Sequence, residues 1–132
     1  MDIYAEEIIS HYEHPHNKGK IENPSISFHR DNPTCGDDIT IYLKISNGKI
    51  EDVKFSGSGC AISMASASML TDEIKGKSIV EIEKMGLDTI IDLIGIDPGP
   101  ARLKCATLSL RTLKEAVFTY EKKPVDNSTK EL

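Results

Sequence analysis

At 132 residues and a net charge of −5, the chain is long enough for one compact domain with its own core. It is too acidic for a primary role in gripping nucleic acid, which favours basic patches. Hydrophobic residues make up 39% and charged residues 28%, the balance of a globular protein, and no apolar run approaches bilayer length, so no membrane association is expected. The N-terminus lacks a signal-peptide pattern, so a cytoplasmic location is expected. There the three cysteines stay reduced and serve as metal ligands or reactive groups rather than disulfides.

Residues 2–14 read as a helix in which Ile3, Ile8, Ile9 and Tyr12 form an apolar stripe, stopped by Pro15. His11, His14 and His16 gather at its end. They are candidate metal ligands, but a helix C-terminus also favours imidazoles, and no fourth ligand is near in sequence. After a loop at 17–20, a short strand is expected over 25–29. Asn32-Pro33-Thr34-Cys35-Gly36-Asp37 is a turn into a second strand, where Ile39, Ile41, Leu43 and Ile45 alternate with polar residues. Asn47-Gly48 is the preferred pair for a tight hairpin. The third strand, about 49–56, turns Val53 and Phe55 inward, and Ile50 out of phase with them predicts a bulge near Glu51-Asp52.

Gly57-Ser58-Gly59-Cys60 reads as a turn into a helix over 61–75, rich in Ala and Ser, with Gly76 as its C-cap. Two short helical pieces follow at 78–85 and 87–94. Pro100 is placed to open a last helix running to about Lys122, with Leu103, Ala106, Leu110, Leu113, Val117 and Tyr120 as its buried stripe. Residues 124–132 are polar and expected as a disordered tail, leaving one domain over 1–123. The expected fold class is α+β, a three-stranded antiparallel meander with helices packed on it.

The chemistry-bearing residues sit at the joints of this pattern. Gly36 lets Cys35 and Asp37 point to the same side and share one ligand. Cys60 falls at a helix N-terminus, and Cys105 near the first turn of the last helix beside Arg102 and Lys104; both settings favour thiolate. Three thiols and a carboxylate make a four-coordinate site for a soft or borderline metal such as zinc. An aspartate in place of a fourth cysteine is a weaker ligand, which suits a protein that receives or hands over a group. Other readings compete. The cysteines could be three unrelated core residues. The chain could be a structural zinc-binding domain used for protein contacts. Cys35 and His29 could form a nucleophile–base pair, without a third orienting residue. The glycine turn at 57 could hold phosphate, but the full phosphate-loop pattern is absent.

Four stretches together resemble the iron–sulfur cluster assembly scaffold family of IscU, SufU and NifU N-terminal type. They are His11-Tyr12 with Pro15, Asn17 and Gly19; the run 32–37; the run 57–68; and Pro100-Ala101-Arg102-Leu103-Lys104-Cys105-Ala106-Thr107-Leu108. Lys104 stands where IscU-like proteins carry a histidine, and Asp97-Pro98-Gly99-Pro100-Ala101 replaces their chaperone motif. The Arg102–Cys105 run looks like the SufU branch, without the insertion that branch usually carries between its second and third cysteines. The resemblance implies sulfur acceptance from a cysteine desulfurase of SufS or IscS type, and delivery toward apo iron–sulfur proteins. It implies zinc held by Cys35, Asp37, Cys60 and Cys105, with Cys35 released as acceptor and Arg102 assisting at the mouth of the site. In the scaffold variant the same four residues assemble a transient [2Fe–2S] cluster. Either a cluster scaffold or a zinc-dependent sulfurtransferase fits.

Overall fold

The computed structural model describes residues 3–33 and 36–132. A three-stranded antiparallel sheet, β1 (Ile26–Asn32), β2 (Asp37–Ser46) and β3 (Lys49–Ser58), is ordered β1-β2-β3. Alternation along β2 sends Ile39, Ile41 and Leu43 to one fully buried face and leaves Thr40 and Tyr42 half-exposed on the other. At the hairpin, Asn47 and Gly48 both take positive φ (54° and 71°), as the tight turns that match strand twist require. Lys44 pairs with Asp52 while Ile45 pairs with Ile50, so Glu51 is the extra residue of a bulge. The bulge brings Ile50 to the buried face beside Val53 and Phe55, as its phase in the sequence requires.

Two strands run further than their hydrophobic patterns. β1 continues to Asn32, which pairs with Asp37. β3 continues through the expected turn, with Gly57 and Ser58 paired to Ile39 and Asp38. Gly57 holds φ +132°, and a Cβ there would lie 2.3 Å from the Asp38 carbonyl oxygen, so the pairing depends on glycine. Both extensions carry the ladder up to the residues that bear the chemistry.

The helices are α1 (Ile3–Glu13), α2 (Ala61–Ile74), α3 (Ile79–Glu83), α4 (Leu87–Ile94), α5 (Leu103–Tyr120) and α6 (Asn127–Lys130). α5 lies against β1 and β2, α2 against α5 and β3, and α1 and α4 over α2. The small residues of α2, Ala65 to Ser68, are all fully buried, which lets its neighbours approach closely. α1 corrects the sequence reading: only Ile8 is buried, and Ile3, Ile9 and Tyr12 of the expected stripe are exposed, because α2 covers a narrow part of this helix. No helix among the described residues is long and apolar enough to cross a membrane.

α5 also departs from expectation. It begins at Leu103 with Arg102 as N-cap, and Pro100 belongs to the turn before it. Tyr120 is exposed, whereas Lys114 and Glu115 are buried, because sheet and helices surround the middle of α5 on several sides. The two charged groups survive there by pairing. The Lys114 ammonium donates to the Met85 carbonyl, and burial pulls its pKa below the ordinary lysine value against the pull of Asp126 and Glu83. Glu115 accepts from Arg30 of β1 at 2.9 and 3.2 Å and from Arg111 Nε at 3.3 Å. Where a disordered tail is expected, Asp126 accepts the Thr129 N–H at 2.9 Å and caps α6, and Leu132 is buried.

Glu115→Ala removes the carboxylate that ties β1 to α5 and strands Arg30. The expected loss is about 2–3 kcal/mol, below the ~3–5 kcal/mol of a fully buried pair because Arg30 is partly exposed. It is read as a lower urea midpoint at unchanged slope.

Candidate metal centre

Three element ends converge beside the first residue of β2. Asp37 opens that strand, Cys60 is the N-cap of α2, and Cys105 is in the first turn of α5. One ligand atom from each lies within 4.8 Å of the other two. Asp37 is 3% exposed and Cys105 5%, while Cys60 is half-buried and opens the cluster to solvent. A zinc-type ion bonds sulfur at about 2.3 Å and oxygen at about 2.0–2.2 Å, so in a tetrahedral site its ligands stand roughly 3.3–3.8 Å apart. Shifts of about an ångström would therefore close these three on one ion, and the donor set fits zinc or iron.

The carboxylate is aimed by the start of α2. The Cys60 N–H donates to Asp37 Oδ1 at 3.0 Å, and the Ser63 hydroxyl makes a short hydrogen bond to Asp37 Oδ2. Ser63 Oγ also lies 3.1 Å from the Cys105 carbonyl oxygen, joining α2 to α5 directly behind the ligands. Cys60 Sγ stands 3.7 Å from both Asp37 Oδ2 and Ser63 Oγ. A Cβ on Gly59 would sit 2.9 Å from the Asp37 carboxyl, so the bare glycine leaves the carboxylate its place. From β1, Asn32 Nδ2 points at Cys105 Sγ, 4.0 Å away. The signal for Ser63 was in the sequence: it stands three residues after an N-cap, where side chains meet the cap. Asn32 and Gly59 lie in the motif runs but carry no ligand chemistry of their own.

Cys35 lies outside the described residues. Arg102 is exposed at the N-cap of α5. Lys104 turns away from the thiol, donating to the carbonyls of Glu131 and Leu132 at 2.7 and 3.0 Å. His29, the base considered for Cys35, instead faces Asp38, with Nε2 3.6 Å from Oδ1. Of the three N-terminal histidines, His11 and His16 meet with ring centroids 4.5 Å apart, beside Asp72 of α2, and His14 is not part of that group. Burial, then the neighbouring His16, lowers the His11 pKa below 6.5, against Asp72 and Glu7. Burial works to raise Asp72, but hydrogen bonds from His16 and Asn17 outweigh it and hold the carboxyl below its ordinary value.

The family model described as the NifU-like N-terminal domain matches residues 3–127. The chain is 43% identical over 136 residues to the zinc-dependent sulfurtransferase SufU of Bacillus subtilis, covering 90% of this chain and 92% of that one. It is 36% identical over 121 residues to the iron–sulfur cluster assembly scaffold protein IscU 1 of Archaeoglobus fulgidus, covering 92% and 78%. The crystal structure of FiSufU, a SUF-system protein of Fervidobacterium islandicum, superposes with a TM-score of 0.76 at 32% identity over 85% of this chain and 94% of that one.

Ser63→Ala removes the hydroxyl that orients Asp37 and joins α2 to α5, and the domain is expected to stay folded at somewhat reduced stability. The expected outcome is a 10–100-fold loss of zinc affinity, in the range for removing a partner of a metal ligand, measured by competition with a chromophoric chelator.

Proposed function

This chain belongs to the NifU-like N-terminal domain family, and on that premise we propose that it accepts sulfur from a cysteine desulfurase for iron–sulfur cluster biogenesis. The observation that carries the reading is the grouping of Asp37, Cys60 and Cys105 at the ends of three elements, with Asp37 and Cys105 buried and Cys60 open to solvent. Cys35, two residues before Asp37, is proposed as the fourth ligand and the sulfur acceptor. Zinc held by this set would keep its thiolate ligands deprotonated near neutral pH.

The transfer follows ordinary thiol–persulfide exchange. The Cys35 thiolate attacks the terminal sulfur of the desulfurase persulfide; the new S–S bond forms on Cys35, the old one breaks, and the desulfurase cysteine leaves as thiolate. Asp37 supports this by being the weakest of the four donors while remaining fixed through Cys60 N–H and Ser63. Arg102, exposed at the N-cap of α5 three residues before Cys105, is proposed to meet the negative charge of the incoming persulfide. The sulfur then passes toward apo iron–sulfur proteins.

A second reading, the cluster scaffold, is favoured by the 36% identity to an IscU scaffold protein. There the same four residues hold a [2Fe–2S] cluster as cargo, and a single oxygen donor keeps it easy to release. Metal content and visible absorbance of anaerobic protein, before and after adding desulfurase, cysteine and ferrous iron, separate the two. Retained stoichiometric zinc with faster desulfurase turnover supports the sulfurtransferase; zinc displacement with growth of a cluster chromophore supports the scaffold.

Cys35→Ser is expected to abolish persulfide uptake, read by mass spectrometry as loss of the 35S- or unlabelled sulfane adduct, while the domain stays folded. Uptake at wild-type level in that variant would sink the transfer mechanism. Asp37→Ala is expected to lengthen the life of a bound cluster or weaken zinc binding while the domain stays folded; collapse of the fold would mark the site as structural.

A further inference from the structure

We propose that His11, His16 and Asp72 form a second metal site, separate from the cysteine centre, for an exchangeable first-row divalent ion of the zinc or ferrous class. One ring nitrogen from each histidine and one carboxylate oxygen lie within 4.8 Å of one another. The fourth-ligand problem of the N-terminal histidines is thereby partly answered by another element: α2 supplies Asp72, 56 residues from His16. Two imidazoles and a carboxylate suit zinc and ferrous iron and are poor donors for magnesium or calcium. Asp72 lies twelve residues beyond Cys60, ~18 Å along α2 at 1.5 Å per residue, so an ion here cannot share the thiol ligands.

The group is held in place by partners of its own, as ligands of a metal site are. Ser68, fully buried one helical turn before Asp72, lies 2.6 Å from His11 Nδ1 and accepts the His16 backbone N–H at 2.8 Å. With Nδ1–H donating to that hydroxyl, His11 presents the Nε2 lone pair. His16 Nδ1 and Asp72 Oδ2 are 2.5 Å apart, and Asn17 Nδ2 donates to Asp72 Oδ1 at 2.9 Å and to Thr71 Oγ1 at 3.0 Å. Asn17 is itself pinned at φ 61°, its carbonyl accepting the Phe55 N–H at 2.9 Å and Gly19 N–H bonding back to Phe55. The loop that carries His16 is thus tied to β3 on one side and α2 on the other. His16 and Asp72 remain about half-exposed, with side chains 56% and 43% accessible, which leaves room for water in the remaining positions and lets the ion exchange.

The test uses tag-free protein with its cysteine site filled with zinc, titrated with Co2+. The expected result is one further equivalent of cobalt with weak visible bands and no thiolate-to-metal charge transfer. Paramagnetic shifts are expected on the ring protons of His11 and His16 and not on those of His29. His16→Gln and Asp72→Asn, both at exposed side chains and expected to melt like the parent, should each weaken this equivalent at least tenfold while the zinc content stays unchanged. Cobalt appearing only with thiolate charge transfer, no second equivalent, or a second equivalent indifferent to both substitutions would each overturn the assignment.

Discussion

Burying the Asp37 carboxylate is the constraint around which the site is arranged. A carboxylate taken out of water is costly unless its oxygens are met by hydrogen bonds or charge. Here the start of α2 meets them: the Cys60 N–H takes one oxygen and the Ser63 hydroxyl the other. The same two contacts fix where α2 begins relative to β2. Gly59 must be bare for the carboxylate to fit, and Gly57 must be bare for β3 to stay paired alongside Asp38. Conformational freedom and close approach are thus spent at the two glycines that precede Cys60, and the thiol arrives beside the carboxylate as a consequence.

Cys105 reaches the same place by a different route. It rides on the first turn of α5, which the sheet, α2 and smaller helices enclose. A helix so surrounded would ordinarily be apolar all round. This one carries Thr107, Ser109, Thr112, Lys114 and Glu115 in buried positions. Thr107 and Thr112 donate to carbonyls one turn back, and Glu115 is held by Arg30 and Arg111. The Arg30–Glu115 pair locks β1 to α5 two residues from Asn32, the residue whose amide reaches Cys105. Ion pair, amide and thiol form one continuous brace between strand and helix.

α2 links two groups of different donor character. At its N-terminus stand sulfur donors with one oxygen; a dozen residues on stand nitrogen donors with one oxygen. Softness separates what each group prefers, and the helix holds them apart as a rigid spacer. The small residues between them serve packing: they let α1, α5 and the sheet press close, and it is that closeness which brings His11 down onto Ser68.

Much of this was legible in the sequence wherever the governing physics is local. Period-two alternation marked β2, Asn47-Gly48 marked the hairpin, and the phase error of Ile50 marked the bulge at Glu51. Cys60 and Cys105 were correctly read as lying at helix starts, and the four motif runs pointed to the family before any fold was known. What local pattern could not supply was which faces have neighbours. Ile3, Ile9, Tyr12 and Tyr120 are spaced like core residues and end in solvent, while Lys114 and Glu115 are charged and end inside. Gly57 was read as a turn because glycine permits one; its role as a strand residue follows from Asp38 pressing on it across the ladder. Asp72 carries no signal in the sequence; packing of α1 across α2 gives it the two histidines as neighbours. Propensity and periodicity are properties of adjacent residues and so belong to the sequence. Burial, pairing across the sheet and the meeting of His11, His16 and Asp72 depend on contacts between distant segments, and only the tertiary structure decided them.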